Sequence, residues 1–191
     1  MNNKQKISIV LNLIAVISQL GASAVCIINR GWFAFQYYTM DSNIFSAITS
    51  ILLIMSLFTK KSVSQRIHNF RFYSTCCVTV TFVVVVVILV PLNGWHTLPN
   101  RLFMGTDLWL HSVGPLLNVF SFVLFEKNAD LDKKQPILAL IPTLLYAIFA
   151  LVLNLFRIIE GPYPFLKVYE QGAFKTIIWF LLIGIMVFLI S

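Results

Sequence analysis

Residues 72–92 read FYSTCCVTVTFVVVVVILVPL, an apolar run without a single charged residue. In water its β-branched valines and threonines would favour a buried strand. At a helical rise of about 1.5 Å per residue, the same run crosses the roughly 30 Å of a bilayer's hydrocarbon core. Lipid offers no partner to an open backbone, so the segment has to be a helix. Five further blocks of this kind surround it, at 7–28, 37–58, 108–125, 137–156 and 173–190. The expectation is an all-α protein, a polytopic membrane bundle of six transmembrane helices, formed by residues 1–191 as one domain.

Composition agrees with that reading. The chain is 59% hydrophobic and 11% charged, where a soluble domain carries roughly a quarter charged residues. The net charge of +7 does not point to nucleic acid, because the basic residues sit between apolar blocks instead of forming a patch. Cys26, Cys76 and Cys77 lack metal-ligand spacing and read as small, reduced core side chains. The run from Ile7 to Ile28 follows Lys4 and Lys6 as a signal peptide would. It exceeds an h-region of about 7–15 residues, so an uncleaved first span is expected.

Loop charges set an expected orientation. One side collects Lys4, Lys6, Lys60, Lys61, Arg66, Arg71, Lys127, Lys133 and Lys134, and the other Arg30, Arg101, Arg157, Lys167 and Lys175. The positive-inside rule then places both termini in the cytoplasm, and compactness suggests a bacterial cell membrane. His68 lies in a basic loop on the cytoplasmic side and reads as solvated.

Polar side chains inside spans are the informative ones, since each costs free energy in lipid unless partnered. In the second block the purely apolar part, 44–58, is too short to span. The helix is therefore expected to start near Tyr37, which draws Thr39, Asp41, Ser42 and Asn43 to membrane depth. Thr39, Asn43, Ser46 and Ser50 then share one helix face. His111, Pro115 and Asn118 form a second stripe, and Ser8, Asn12, Gln19 and Ser23 a third. Such stripes serve as hydrogen-bonded glue between helices or surround a polar interior. His111 alone among the histidines falls inside a predicted span, at a depth similar to that of Thr39. A histidine base in reach of a threonine hydroxyl makes a nucleophile; on spacing alone, His111 reads more readily as a core histidine whose hydrogen bonds are satisfied between helices. Asp41, His96, Asp107 and Glu160 share that face and either orient His111 or join it at a metal, although no paired-histidine spacing occurs and no metal or other cofactor is expected. The loop Gly161-Pro162-Tyr163-Pro164-Phe165 reads as a lid over a cavity or as a turn with an interfacial aromatic anchor.

Tyr37-Tyr38-Thr39-Met40-Asp41-Ser42-Asn43-Ile44 opens the second span and Leu110-His111-Ser112-Val113-Gly114-Pro115-Leu116-Leu117 the fourth. With six spans and Tyr163-Pro164-Phe165, this resembles the androgen-induced gene 1 family and its prokaryotic six-span relatives. The resemblance covers most of the chain by architecture but only these stretches by motif. It implies a membrane hydrolase with Thr39 as nucleophile and His111 as base, acting on fatty acid esters of hydroxy fatty acids. Oxyanion donors would come from Ser42, Asn43 or Asn118, with Asp41 and Tyr163 as further supporting residues. The polar run Asp41-Ser42-Asn43 departs from the pattern expected of the animal members and bears on the substrate more than on the mechanism. The partner is a membrane lipid or fatty acyl ester. A small-solute carrier or channel and a non-catalytic lipid-binding protein are the other two classes the polar stripes admit.

Overall fold

The computed structural model describes residues 1–60, 62–126 and 131–191, the Lys60 side chain excepted. Lys61 and Lys127, two of the loop cations counted above, lie outside the described residues, as does the side chain of Lys60. Among the described residues six helices are long and apolar enough to cross a membrane: α1 (Asn3–Arg30), α2 (Tyr38–Lys60), α3 (Gln65–Asn93), α4 (Gly105–Phe125), α5 (Gln135–Leu155) and α6 (Ala173–Ile190). No strand occurs among the described residues. Helices α1 to α4 pack on one another as a bundle. The α5–α6 pair leans on the outer side of α3. Six crossings bring both chain ends to one face, and the starts of α2 and α4 to the opposite face.

The surface is inverted relative to a soluble protein. Val10, Ile17, Phe149, Phe174 and Leu189 are exposed, while Asn12, Gln19, Asn43, Ser50 and Asn118 are fully buried. Water would reverse both preferences, whereas lipid favours both. All three polar stripes point inward. Ser8 and Asn12 of α1 meet Ser121 of α4, and Gln19 of α1 donates to Asn43 of α2 at 2.9 Å. Helix α6 buries little besides Thr176 and Val187 and presents most of its surface outward.

Helix α3 begins seven residues before the apolar run that located it. Ser64 caps it by accepting from the Ile67 N–H. The added turns carry His68 and Arg71 into the bundle, which corrects the reading of His68 as solvated and of Arg71 as a loop cation. His68 is 8% exposed and Arg71 is fully buried. The Arg71 guanidinium donates to both oxygens of Glu126, at 3.0 and 2.9 Å, and to Ser50 and Asn118, each at 2.8 Å. Glu126 also accepts from Ser121 at 2.6 Å and Asn12 at 3.0 Å. This knot joins α1, α2, α3 and α4 near the face that bears the termini. A charge buried this deeply is tolerated only when paired and hydrogen-bonded.

Two helices widen into π turns, at Val85–Leu89 in α3 and Leu108–Val113 in α4. In each, the next N–H reaches five residues back: Val90 to the Val85 carbonyl and Gly114 to the Trp109 carbonyl. A proline follows directly, Pro91 and Pro115 respectively. Proline cannot donate to the carbonyl four residues back and its ring crowds that oxygen. The turn before it therefore opens. The second π turn contains His111.

Candidate functional site

Thr39 stands in the first turn of α2, where the chain leaves a short 3-10 segment (Gly31–Gln36) after α1. The π turn in α4 aims His111 at it. Thr39 Oγ1 lies 3.2 Å from His111 Nε2. On the other side of the ring, Nδ1 lies 3.0 Å from the backbone carbonyl of Arg101. A carbonyl only accepts, so Nδ1 carries the proton and Nε2 offers its lone pair to the Thr39 hydroxyl. Ser112, the next residue, donates to the Leu102 carbonyl at 2.7 Å. Consecutive side chains of α4 thus grip consecutive carbonyls of the short helix Leu98–Phe103, which fixes the imidazole plane. Asp107, one turn before His111, places Oδ1 3.9 Å from Nδ1. That is beyond a hydrogen bond, yet close enough to stabilise an imidazolium by charge.

The third member comes from the loop between α5 and α6. Tyr163 is buried, and its phenol oxygen lies 3.5 Å from Thr39 Oγ1. Burial pushes that phenol up to about 12, a rise only partly offset by its hydrogen bond to the Thr39 side chain and those from the Thr39 and Tyr38 backbone. It remains a donor throughout the physiological range. The loop is pinned at several points. Asn154, at the end of α5, donates to the Ile159 and Glu160 carbonyls and accepts from the Val168 N–H. Gln171 donates to the Phe165 carbonyl at 2.7 Å. The Tyr163 ring stacks on Phe165 at 5.1 Å, and Tyr37 meets its edge at 6.2 Å.

Other residues singled out from the sequence take different positions. Asn43 donates to the carbonyls of Thr39 and Leu110 and accepts from Gln19, so its amide ties α1, α2 and α4 beneath the pair. Ser42 bonds to the Thr39 carbonyl and to Thr81 of α3. Neither is left with a donor aimed at the space above Thr39. Asn118 lies in the Arg71 knot and donates to the Gly114 carbonyl, well away from the pair. Asp41 lies half-buried in the first turn of α2. His96 and Glu160 are exposed. Among the described residues, no three His, Cys, Asp or Glu side chains converge as metal ligands would.

Gly114 is a position that residue chemistry alone did not single out. A Cβ there would lie 2.8 Å from the Trp109 carbonyl oxygen, 2.9 Å from Gln19 Cγ and 3.1 Å from Asn43 Oδ1. Only glycine lets α4 approach α1 and α2 this closely, one turn below His111. The Arg101 carbonyl was equally hidden, since a backbone acceptor leaves no trace in residue type.

Two spaces meet at the pair. On the outward side is a polar vestibule bordered by Arg30, Asn93, Arg101, Asp107 and His111. On the inward side a narrow apolar pocket runs between α2, α3, α5 and α6, with a cavity volume of about 60 Å³. Thr39, Leu89 and Tyr163 border both. The arrangement provides a hydroxyl with a neutral imidazole acceptor, a protonated phenol beside it, and a boundary between polar and apolar surroundings at the same point. No family model, curated protein or solved structure matches this chain.

Proposed function

We propose that this protein is an intramembrane lipid ester hydrolase with Thr39 as nucleophile and His111 as general base, as the family resemblance also implies. The observation that carries the reading is the His111 tautomer. The Arg101 carbonyl holds the proton on Nδ1, and the free Nε2 faces the Thr39 hydroxyl at 3.2 Å. In the forward step Nε2 takes the Oγ1 proton while Oγ1 bonds to the ester carbonyl carbon, whose oxygen becomes an oxyanion. The Tyr163 phenol donates to that oxyanion. The intermediate collapses by breaking the bond to the alcohol oxygen, which leaves with the proton from His111. Water, deprotonated by the same imidazole, then attacks the threonyl ester and releases the acid. Fatty acid esters of hydroxy fatty acids suit a site bounded by lipid.

By the positive-inside rule the termini are cytoplasmic and the pair lies in the outer half of a cell membrane, a bacterial one on the compactness of the chain. The carrier reading draws less support, because Asn12, Gln19, Asn43 and Ser50 each bond to a neighbouring helix. The test is hydrolysis of a fluorogenic long-chain ester by the purified protein in detergent. Thr39→Ala and His111→Ala should each lower kcat by on the order of a thousandfold or more, and the double variant no further, since the pair acts as a unit. Ser46→Ala should retain activity. Undiminished turnover by Thr39→Ala would remove the threonine mechanism.

A further inference from the structure

The apolar pocket leads directly away from Thr39. Along α3 its wall runs from Val80 to Leu89, nine helical rises or roughly 13 Å. Leu140 and Leu144 of α5 and Ile183 and Val187 of α6 close it on the other side. Phe165 and Leu166, from the loop that carries Tyr163, border its upper end. The polar groups on its wall are already engaged: Tyr38 with Thr143 at 2.7 Å, and Thr81 with Ser42 at 2.9 Å. The space therefore offers a ligand almost nothing but hydrocarbon. The vestibule on the other side of Thr39 is bordered by Arg30 and Arg101, neither of which has an ion-pair partner among the described residues. A molecule spanning both spaces is amphipathic, and the bond presented to Thr39 is the one at its polar–apolar junction.

We propose that this pocket is the seat of the substrate's acyl chain and that Gly184 of α6 sets the chain length it accepts; this rests on the hydrolase reading above. The chain lies between the α1–α4 bundle and the α5–α6 pair with its carbonyl at Thr39, and the alcohol portion leaves through the vestibule. Gly184 borders the pocket, and a Cβ there would meet no atom within 4 Å. A larger side chain at this position takes space from the ligand and not from the protein's own packing. One methylene more or less in a closely fitting apolar pocket changes kcat/KM by about tenfold or more.

The experiment measures kcat/KM for butanoyl, octanoyl, dodecanoyl and hexadecanoyl esters of one fluorogenic alcohol. Wild type, Gly184→Ala, Gly184→Leu and the outward-facing control Ile185→Leu are compared in the same detergent. The dodecanoyl-to-butanoyl ratio should fall in order of side-chain size, by about tenfold or more in Gly184→Leu, and stay at the wild-type value in Ile185→Leu. Gly184→Ala adds a single methyl and keeps the test available if the leucine variant does not accumulate. A ratio unchanged in the glycine variants, or a loss shared equally by all four esters, would overturn the acyl-seat assignment and leave the hydrolase standing. A wild type inert on every ester would remove both.

Discussion

At the scale of single residues, the account depends on which atoms hold protons. His111 acts as a base only while Nε2 is free, so activity should be lost as pH falls and the imidazole takes up a second proton. Tyr163 acts as a donor only while protonated. Its phenol, pushed up to about 12, should add no inflection until the pH nears that value. Tyr163→Phe should lower kcat by roughly a hundredfold, the usual cost of one oxyanion donor, with the acid limb of the pH profile unmoved. An acid limb that shifts in Tyr163→Phe would instead assign the phenol to tuning His111. The types and depths of Thr39 and His111 were legible in the sequence, because polar groups stand out inside apolar spans. That Ser42, Asn43 and Asn118 spend their hydrogen bonds away from the space above Thr39 was not. Their spacing gave a face, but the hydrogen bonds to Thr81, Leu110 and Arg71 that consume them are tertiary.

At the scale of elements, the π turn and Gly114 decide where the histidine points. Gly114→Ala brings a methyl within 3 Å of the Trp109 carbonyl and Gln19. It should cost about 1–3 kcal/mol, as overpacking does, and lower kcat by moving His111. Thermal unfolding and turnover measured on one sample would show both losses; a variant with wild-type values of each would contradict the close-approach argument. Six spans were readable from hydropathy, but the start of α3 was not. Hydropathy sees Arg71 as a charge that ends a span, whereas Glu126 neutralises it inside the bundle. Arg71→Met leaves that carboxylate buried and unpaired, and should cost about 3–5 kcal/mol. Arg71→Met with Glu126→Leu should recover much of that loss, because a buried pair replaced by apolar groups is often near neutral. A double variant less stable than Arg71→Met alone would refute the pairing argument.

At the scale of the whole molecule, a bundle with polar contacts inside and apolar side chains outside holds Thr39 and His111 at the boundary between a polar vestibule and an apolar pocket. The positive-inside rule applied to the loop charges predicts both termini in the cytoplasm. A single cysteine introduced beside Met1, in a protein whose own cysteines are replaced, should resist an impermeant thiol reagent in intact cells and react after lysis; labelling in intact cells would invert the topology. The central claim, that the Thr39 hydroxyl is made nucleophilic by His111, is tested most directly by covalent capture. Purified protein is treated with a long-chain fluorophosphonate, digested, and the adduct is located by tandem mass spectrometry. The account predicts phosphonylation at Thr39, absent in Thr39→Ala and nearly absent in His111→Ala. An adduct on another side chain, or equal labelling of Thr39 without the imidazole, would contradict it.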